Sequence, residues 1–252
     1  MEKQGTIFKA LAIFLGLTIG AYILGKSIER FKKEDRYISV KGFSEREVKA
    51  DLVIWSMKIR VANDDLIKGN TALASAKNKV IAFLTEKGVD AKEIVPMDLK
   101  VVDRQANEYM QGNSVMQLRY IIEETIEVRS NKVEEIQKIS RMTSELLNAG
   151  IALSNKNEWG GSGLEYIFTQ LNAIKPVMLA EAIKNAKGAA EQFTKESDTD
   201  LGKMRKASQG LFSIQDRDQS LSGATEGGGY QFTNADLFKK IRVVISVDYS
   251  IE

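Results

Sequence analysis

The sequence predicts an α+β fold with largely antiparallel sheets packed against about three helices and preceded by one N-terminal transmembrane helix. Three observations predict it. Ile241, Val243, Ile245, Val247, Tyr249 and Ile251 hold six successive alternate positions, the period-2 pattern of a strand with one buried face. Three segments instead carry apolar residues at helical spacing, without the regular βαβα rhythm of a parallel sheet. The third is an apolar run at the N-terminus, which sets residues 1–36 (anchor or signal segment and charged linker) apart from a domain over 37–252.

From Ile7 to Leu24 the chain reads IFKALAIFLGLTIGAYIL, with Lys9 its one charge. As a helix this stretch spans about 27 Å, close to the hydrocarbon thickness of a bilayer. Lys9 lies near the end, where a lysine snorkels to the headgroups. Bulky Tyr22, Ile23 and Leu24 make poor cleavage flanks, and Gly25-Lys26-Ser27 is the small-x-small site that follows them, so a retained anchor is expected. Lys3 and Lys9 precede the run, whereas Lys26, Arg30, Lys32, Lys33 and Arg36 follow it. Read literally, that bias keeps the domain in the cytoplasm; long domains also cross against it, so the charges leave orientation open.

Beyond the KSIERFKKEDR linker, strands are predicted at Ile38–Phe43, from Val53 to Val61, at Ile94–Val102 and from Leu118 to Val128. Others are predicted at Ile151–Asn155, Leu164–Leu171, Gly210–Gln215 and over Ile241–Ile251. In the last, Arg242, Ser246, Asp248 and Ser250 form a wetter opposite face. The first helix runs from Asp65 to Lys87 and stops at Gly88, with Leu66, Leu73, Val80 and Leu84 on one stripe. The second opens with Asn131 and Glu134 at capping-box spacing and closes at Gly150, burying Val133, Ile136, Ile139, Leu146 and Leu147. The third begins at Pro176 and buries Leu179, Ala182, Ile183, Ala186, Ala190 and Phe193. Alanines on that face imply a close approach to a sheet or a neighbouring helix.

Composition removes much chemistry. The chain has no cysteine and no histidine, which excludes thiolate catalysis, Ser-His-Asp triads and Cys- or His-ligated metal. The 36 basic and 34 acidic residues nearly cancel, so no overall field draws nucleic acid. Gly160, Gly161 and Gly163 lack the register of a dinucleotide fingerprint, and Gly227–Gly229 lack the Lys-Ser/Thr of a P-loop. Adjacent Glu123 and Glu124 point to opposite faces of a strand. Asp216 and Asp218 share a face at a strand end, where solvated acids are common. Trp55 falls within the apolar alternation and reads as core, whereas Trp159, beside glycines, is the better candidate for an exposed contact. Lys203, Arg205 and Lys206 read as a solvated turn, lacking the neighbouring aromatics of a nucleic-acid site. Asp218–Leu237 reads as a long polar loop bearing Tyr230 and Phe232 beside a triple glycine, suited to an intermolecular contact or a plain linker. No catalytic, cofactor-binding or metal-ligating residue is assigned.

The segment Ile38–Ile59, ISVKGFSEREVKADLVIWSMKI, resembles the opening of the SIMPL-domain family of bacterial envelope proteins (periplasmic immunogenic type). Val40 and Gly42 match that family's Val-x-Gly strand. Val48, Ala50 and Asp51 match its Val-x-Ala-Pro-Asp turn, though without the proline. LAEAIKNAKGAAEQF, from Leu179 to Phe193, resembles its Ala-rich helix, Leu201-Gly202-Lys203 its Leu-Gly-x turn, and Val243–Ile251 its last strand. The resemblance covers residues 37–252. It implies an α+β domain in the periplasm or cell exterior, frequently oligomeric, with a loose link to envelope or oxidative stress; the apolar N-terminal run adds the expectation of a single-pass inner-membrane anchor. It carries over no functional residue. The expected function is a non-enzymatic interaction or assembly module, a homo-oligomer that contacts the membrane through its first helix; the alternatives are a carboxylate-dependent envelope hydrolase and a small-ligand binding module.

Overall fold

The computed structural model describes residues 14–23, 25–26, 36–106, 118–155, 163–218 and 235–251. It is α+β, and every strand pairing whose register is defined is antiparallel. Residues 14–23 form helix α1, the described part of the apolar N-terminal run. The rest of the Ile7–Leu24 run lies outside the described residues. Among the described residues no helix is long and apolar enough to cross a membrane.

The chain divides into two compact units, each assembled from segments distant in sequence. The larger contains residues 46–173 and 214–241. Its sheet has the order β3 (Ile94–Asp103), β4 (Tyr120–Ser130), β2 (Leu52–Asn63), β5 (Leu153–Asn155), and β6 (Leu164–Ile167) also pairs with β2. Strand β2 is central. It meets β4 along its whole length, from Val53↔Ser130 to Asn63↔Tyr120. On its other edge it meets β6 at Leu52–Trp55 and β5 at Met57–Ile59. Val53, Trp55, Met57 and Ile59 therefore share one face with Ile122, Ile126 and Val128, and all of them are buried. Helix α2 (Leu66–Glu86) lays Leu73, Val80 and Leu84 on this face, while the expected fourth member of its stripe, Leu66, stays exposed at the start. The Asp65 carboxylate accepts from the backbone N–H of Ile67 and Lys68, and Gly88 ends the segment at φ +96°, the left-handed turn that glycine tolerates.

The second predicted helix is two. Helix α3 (Val133–Ser140) and helix α4 (Ser144–Asn148) are separated by a tight turn in which Arg141 and Met142 donate to the carbonyls three residues back. The Ser140 and Thr143 hydroxyls bond the Gln137 and Ser140 carbonyls, a local competition that weakens a continuous helix. The predicted capping box does not form either. Asn131 donates instead to the Asp51 carbonyl, and Glu134 pairs with Lys49. Of the predicted buried set, Leu147 is exposed.

The smaller unit contains residues up to 45, 174–213 and 242–252. Its sheet runs β1 (Tyr37–Lys49), β9 (Phe238–Ile251), β7 (Leu201–Gln209); β8 (Ser213–Asp216), which past Ser213 belongs to the larger unit, also pairs with β9. Strand β9 follows its predicted alternation, with Ile241, Val243, Ile245, Val247 and Tyr249 buried and the residues between them half-buried. Helix α5 (Leu171–Glu196) begins five residues before Pro176. One proline removes one rung of the ladder, and the first turn supplies its own i→i−3 bond from Ala173 to Gln170. The buried stripe is Met178, Ala182, Ala186, Ala190 and Thr194, every fourth residue, whereas Ile183 and Phe193 point outward. The reason is Gly42 of β1. A methyl group built there would lie 2.1 Å from the Ala182 carbonyl oxygen and 2.6 Å from the Ala186 nitrogen. Only small side chains fit so near a passing backbone, and larger ones are displaced to the flanks.

Strand β7 corrects the sequence reading. Lys203, Arg205 and Lys206 belong to an edge strand that pairs antiparallel with β9 through two register shifts. Its residues are almost all exposed, so no apolar alternation marks it. A methyl group at Gly202 would lie 2.4 Å from the Ser250 hydroxyl, so the Leu-Gly-x element sits where β7 runs close against β9 at a register shift.

Candidate functional site

The acids singled out in the sequence are paired or solvated, and do not converge. Glu123 faces Arg60 and Lys58 on β2, across the sheet from the helices. Glu124 is on the opposite face, bonded to Lys77 of α2 at 2.7 Å. Asp216 is buried against the ammonium of Lys239, itself 1% exposed, and accepts from the Ala235 N–H at 3.0 Å. Asp218 is out in solvent beside Arg217. Each buried carboxylate has the cation that its desolvation demands, which is the arrangement of structural ion pairs. Trp55 is core, at 2% exposed. Arg205 stacks over the Tyr37 ring, 5.6 Å from its centre. Gly163 turns at φ +69° and its carbonyl accepts from the Ser56 N–H. Trp159, Gly160, Gly161, Gly227–Gly229, Tyr230 and Phe232 lie outside the described residues.

What sequence reasoning missed is a cavity of about 470 Å³ within the larger unit. It arises at the place where β2 changes partner, between Trp55, which pairs with Leu164 of β6, and Met57, which pairs with Asn155 of β5. Antiparallel partners share a face, so Trp55, Met57, Leu164 and Tyr166 point the same way and make its floor. Leu153 and Ser154 of β5 add to the lining. The roof is the broken helix: Gln137, Ser140, Arg141, Thr143 and Leu147 line it, and the turn at Arg141–Thr143 leaves space that a continuous helix would cover.

Polar groups gather on the helical side. The Gln137 side chain lies beside the Tyr166 hydroxyl. Burial pushes the Tyr166 phenol up from its ordinary value, and the Gln137 side chain and the nearby Arg141 guanidinium oppose that shift. Among the described residues no carboxylate lines the space, and Arg141 is the one charged residue that does. The mixture of aromatic and aliphatic walls with a few convergent polar groups is that of a small-molecule pocket, and its volume falls in the usual range. The signal in the sequence was weak, because the lining comes from segments that each look like ordinary core. Among the described residues no group of three acidic side chains is placed to hold a metal ion.

The turn after β1 explains one of the motifs. The Asp51 carboxylate accepts from the Thr169 N–H at 2.7 Å and from its hydroxyl at 3.0 Å. The Ala50 N–H donates to the Leu237 carbonyl, and the Asp51 carbonyl accepts from Asn131. Ala50 and Asp51 thus tie four separated segments together, while Val40 and Gly42 make the close approach to α5. A search of curated proteins finds no match to the chain. The family model SIMPL, described as "Protein of unknown function (DUF541)", matches residues 38–248. With the match spanning both units and containing these motifs, the chain belongs to the SIMPL family.

Proposed function

We propose that the protein is a single-pass, membrane-anchored module whose folded part lies in the periplasm or cell exterior, where it works without catalysis by assembling with copies of itself. The observation that carries this reading is the free edge of the larger sheet. Strand β3 pairs only with β4 among the described residues, and it exposes Val95, Met97, Leu99 and Val101, each by 44–55%. A bulge between Pro96 and Leu99 interrupts its first half, leaving Leu99–Asp103 as a regular strand in which Lys100 and Asp103 accompany Leu99, Val101 and Val102, with no described strand on its outer edge. Strand β7, on the edge of the other sheet, presents Lys203, Arg205 and Lys206 instead. Charge on an edge strand blocks further pairing, whereas an apolar edge invites it.

The anchor reading is supported by the apolar run and by helix α1, where Phe14, Leu17, Tyr22 and Ile23 are each more than 60% exposed. The non-catalytic reading is supported by the missing histidine and cysteine and by the pairing of Glu123, Glu124 and Asp216 with cations.

The test uses the full chain. In detergent, light scattering should give a protein mass several times the 28.0 kDa of one chain, and Leu99→Lys with Val101→Lys should reduce it to one. Both side chains are exposed, so the thermal transition should hold. A monomeric parent, or an oligomer that survives both lysines, would remove the assembly reading. For topology, Lys184→Cys creates a unique thiol on the exposed side of α5. A membrane-impermeant maleimide should label it in intact cells, after outer-membrane permeabilisation where there is one; labelling only after lysis would put the domain on the other side.

A further inference from the structure

We infer that the cavity between the β2–β5–β6 face and the α3–α4 turn is a binding site for a small amphipathic monoanion, a carboxylate on an aromatic or aliphatic body. The inference is independent of self-assembly, since β3 contributes nothing to the lining.

The apolar half of the site is fixed by the sheet. Trp55 and Tyr166 stand on neighbouring strands with their side chains on one face, and Met57 and Leu164 continue that floor. These residues belong to the core, so the floor is rigid and apolar, suited to the flat face of an aromatic ring or to an acyl chain. The charged half is fixed by the break in the helix. Arg141 occupies the C-cap of α3, and its own N–H is already used on Lys138. Its guanidinium makes no ion pair or hydrogen bond among the described residues, although Lys58, Arg60, Lys77, Arg119, Lys239 and Arg242 all have carboxylate partners. A guanidinium presents a planar fork of donors that matches a carboxylate.

The charge balance selects the class. With one cation and no acid among the described lining residues, an amine would meet repulsion from Arg141, and the Asp236 carboxylate, whose charge reaches Tyr166, already faces Arg217 at 3.8 Å. A dianion such as a phosphate monoester would find a single cation for its two charges. A neutral hydrocarbon would leave Gln137 and Arg141 unused. A monocarboxylate with a hydrophobic body satisfies both halves at once.

The experiment titrates 2-naphthoate, a soluble aromatic carboxylate, into the full chain in lipid nanodiscs by calorimetry, with empty nanodiscs subtracted. One saturable site per chain is expected. Arg141→Gln should weaken it by about tenfold or more, the usual weight of a hydrogen bond to a charged group. Leu147, 60% exposed at the rim, gives a second handle that leaves the core alone. Leu147→Glu should weaken binding by like-charge repulsion, and Leu147→Lys should preserve or tighten it. Naphthalene-2-carboxamide, the neutral counterpart, should bind more weakly than the carboxylate and ignore Arg141→Gln. Absence of saturable binding would overturn the site. Equal binding of acid and amide, or a naphthoate affinity indifferent to Arg141→Gln and to the charge at position 147, would overturn the assignment to an anion.

Discussion

Gly42→Ala should be the most damaging addition of a single methyl group to the smaller unit. The new Cβ would stand 2.1 Å from the Ala182 oxygen, 2.6 Å from the Ala186 nitrogen and 2.7 Å from the Ala186 Cβ. Ordinary contact begins near 3.4 Å, so relief requires β1 and α5 to part by roughly 1.3 Å, the difference between 3.4 and 2.1 Å. Two of the three obstacles are backbone atoms, which no rotamer change can move. Separation on that scale forfeits a quarter to a half or more of the dispersion attraction along the seam of Met178, Ala182, Ala186 and Ala190, all 0% exposed. Overpacking usually costs 1–3 kcal/mol, and a clash with backbone belongs at the upper end, so about 3 kcal/mol is expected. For a chain of this size that lowers the thermal midpoint by roughly 6–12 °C. Gly188 of the same helix supplies the control. It is exposed, with open space where a Cβ would go, so Gly188→Ala should stabilise by about 0.5–1 kcal/mol through helix propensity. Urea unfolding followed by circular dichroism measures both, and the slope against denaturant should not change. Ala186→Gly should fail to rescue Gly42→Ala, because it removes a side chain and leaves the backbone obstacles. A loss below about 1 kcal/mol for Gly42→Ala, or full rescue by Ala186→Gly, would refute the close approach on which the argument rests.

Two further outcomes follow from buried groups in the larger unit. Lys239→Met or Asp216→Leu alone should cost about 3–5 kcal/mol by breaking a buried ion pair, while the double Lys239→Met with Asp216→Leu should cost less than the two singles together; a double-mutant cycle in urea that shows additive losses would mean the pair is not coupled. Tyr166 should add an alkaline limb to stability: its phenol is raised in the fold by burial, so its contribution is complete below the unfolded value near 10 and is lost as pH rises through the folded one. Urea midpoints between about pH 8 and 11 should fall less steeply for Tyr166→Phe than for the parent, and equal slopes would show that the phenol ionises freely.

Elements with a buried face and an unbroken period were legible in the sequence. Strand β9 alternates without interruption, and α2 carries its Asp65 cap and its Gly88 stop in the chain itself. Strand β7 was not legible, since LGKMRKASQ buries almost nothing and is held by backbone pairing with β9, which no side-chain pattern records. The start of α5 was misplaced because Pro176, read as a first-turn residue, stands where the helix tolerates one missing rung. The split between α3 and α4 depends on hydroxyls of Ser140 and Thr143 that compete for carbonyls, and on a cap residue, Asn131, drawn away by Asp51. The cavity was hidden for a related reason. Trp55, Arg141 and Tyr166 are separated in sequence and brought together only by strand register and by that split.

The pairing of β1 with β9 has a kinetic consequence. Among the described residues the first strand has no sheet neighbour until the last one exists, with Tyr37 at the start of one and Ile251 at the end of the other. At ordinary rates of synthesis, about 5–20 residues per second, the intervening two hundred or so residues take on the order of 10–40 s to emerge. Throughout that interval β1 is an unclaimed template for any neighbouring nascent chain. Its composition suits the wait. Lys41, Glu45, Arg46, Glu47 and Lys49 are spread among its apolar positions, and charges of both signs discourage premature pairing. Non-local strand pairing is intrinsically slow to form, so closure of this sheet around its C-terminal strand should set the pace at which the newly made protein becomes native.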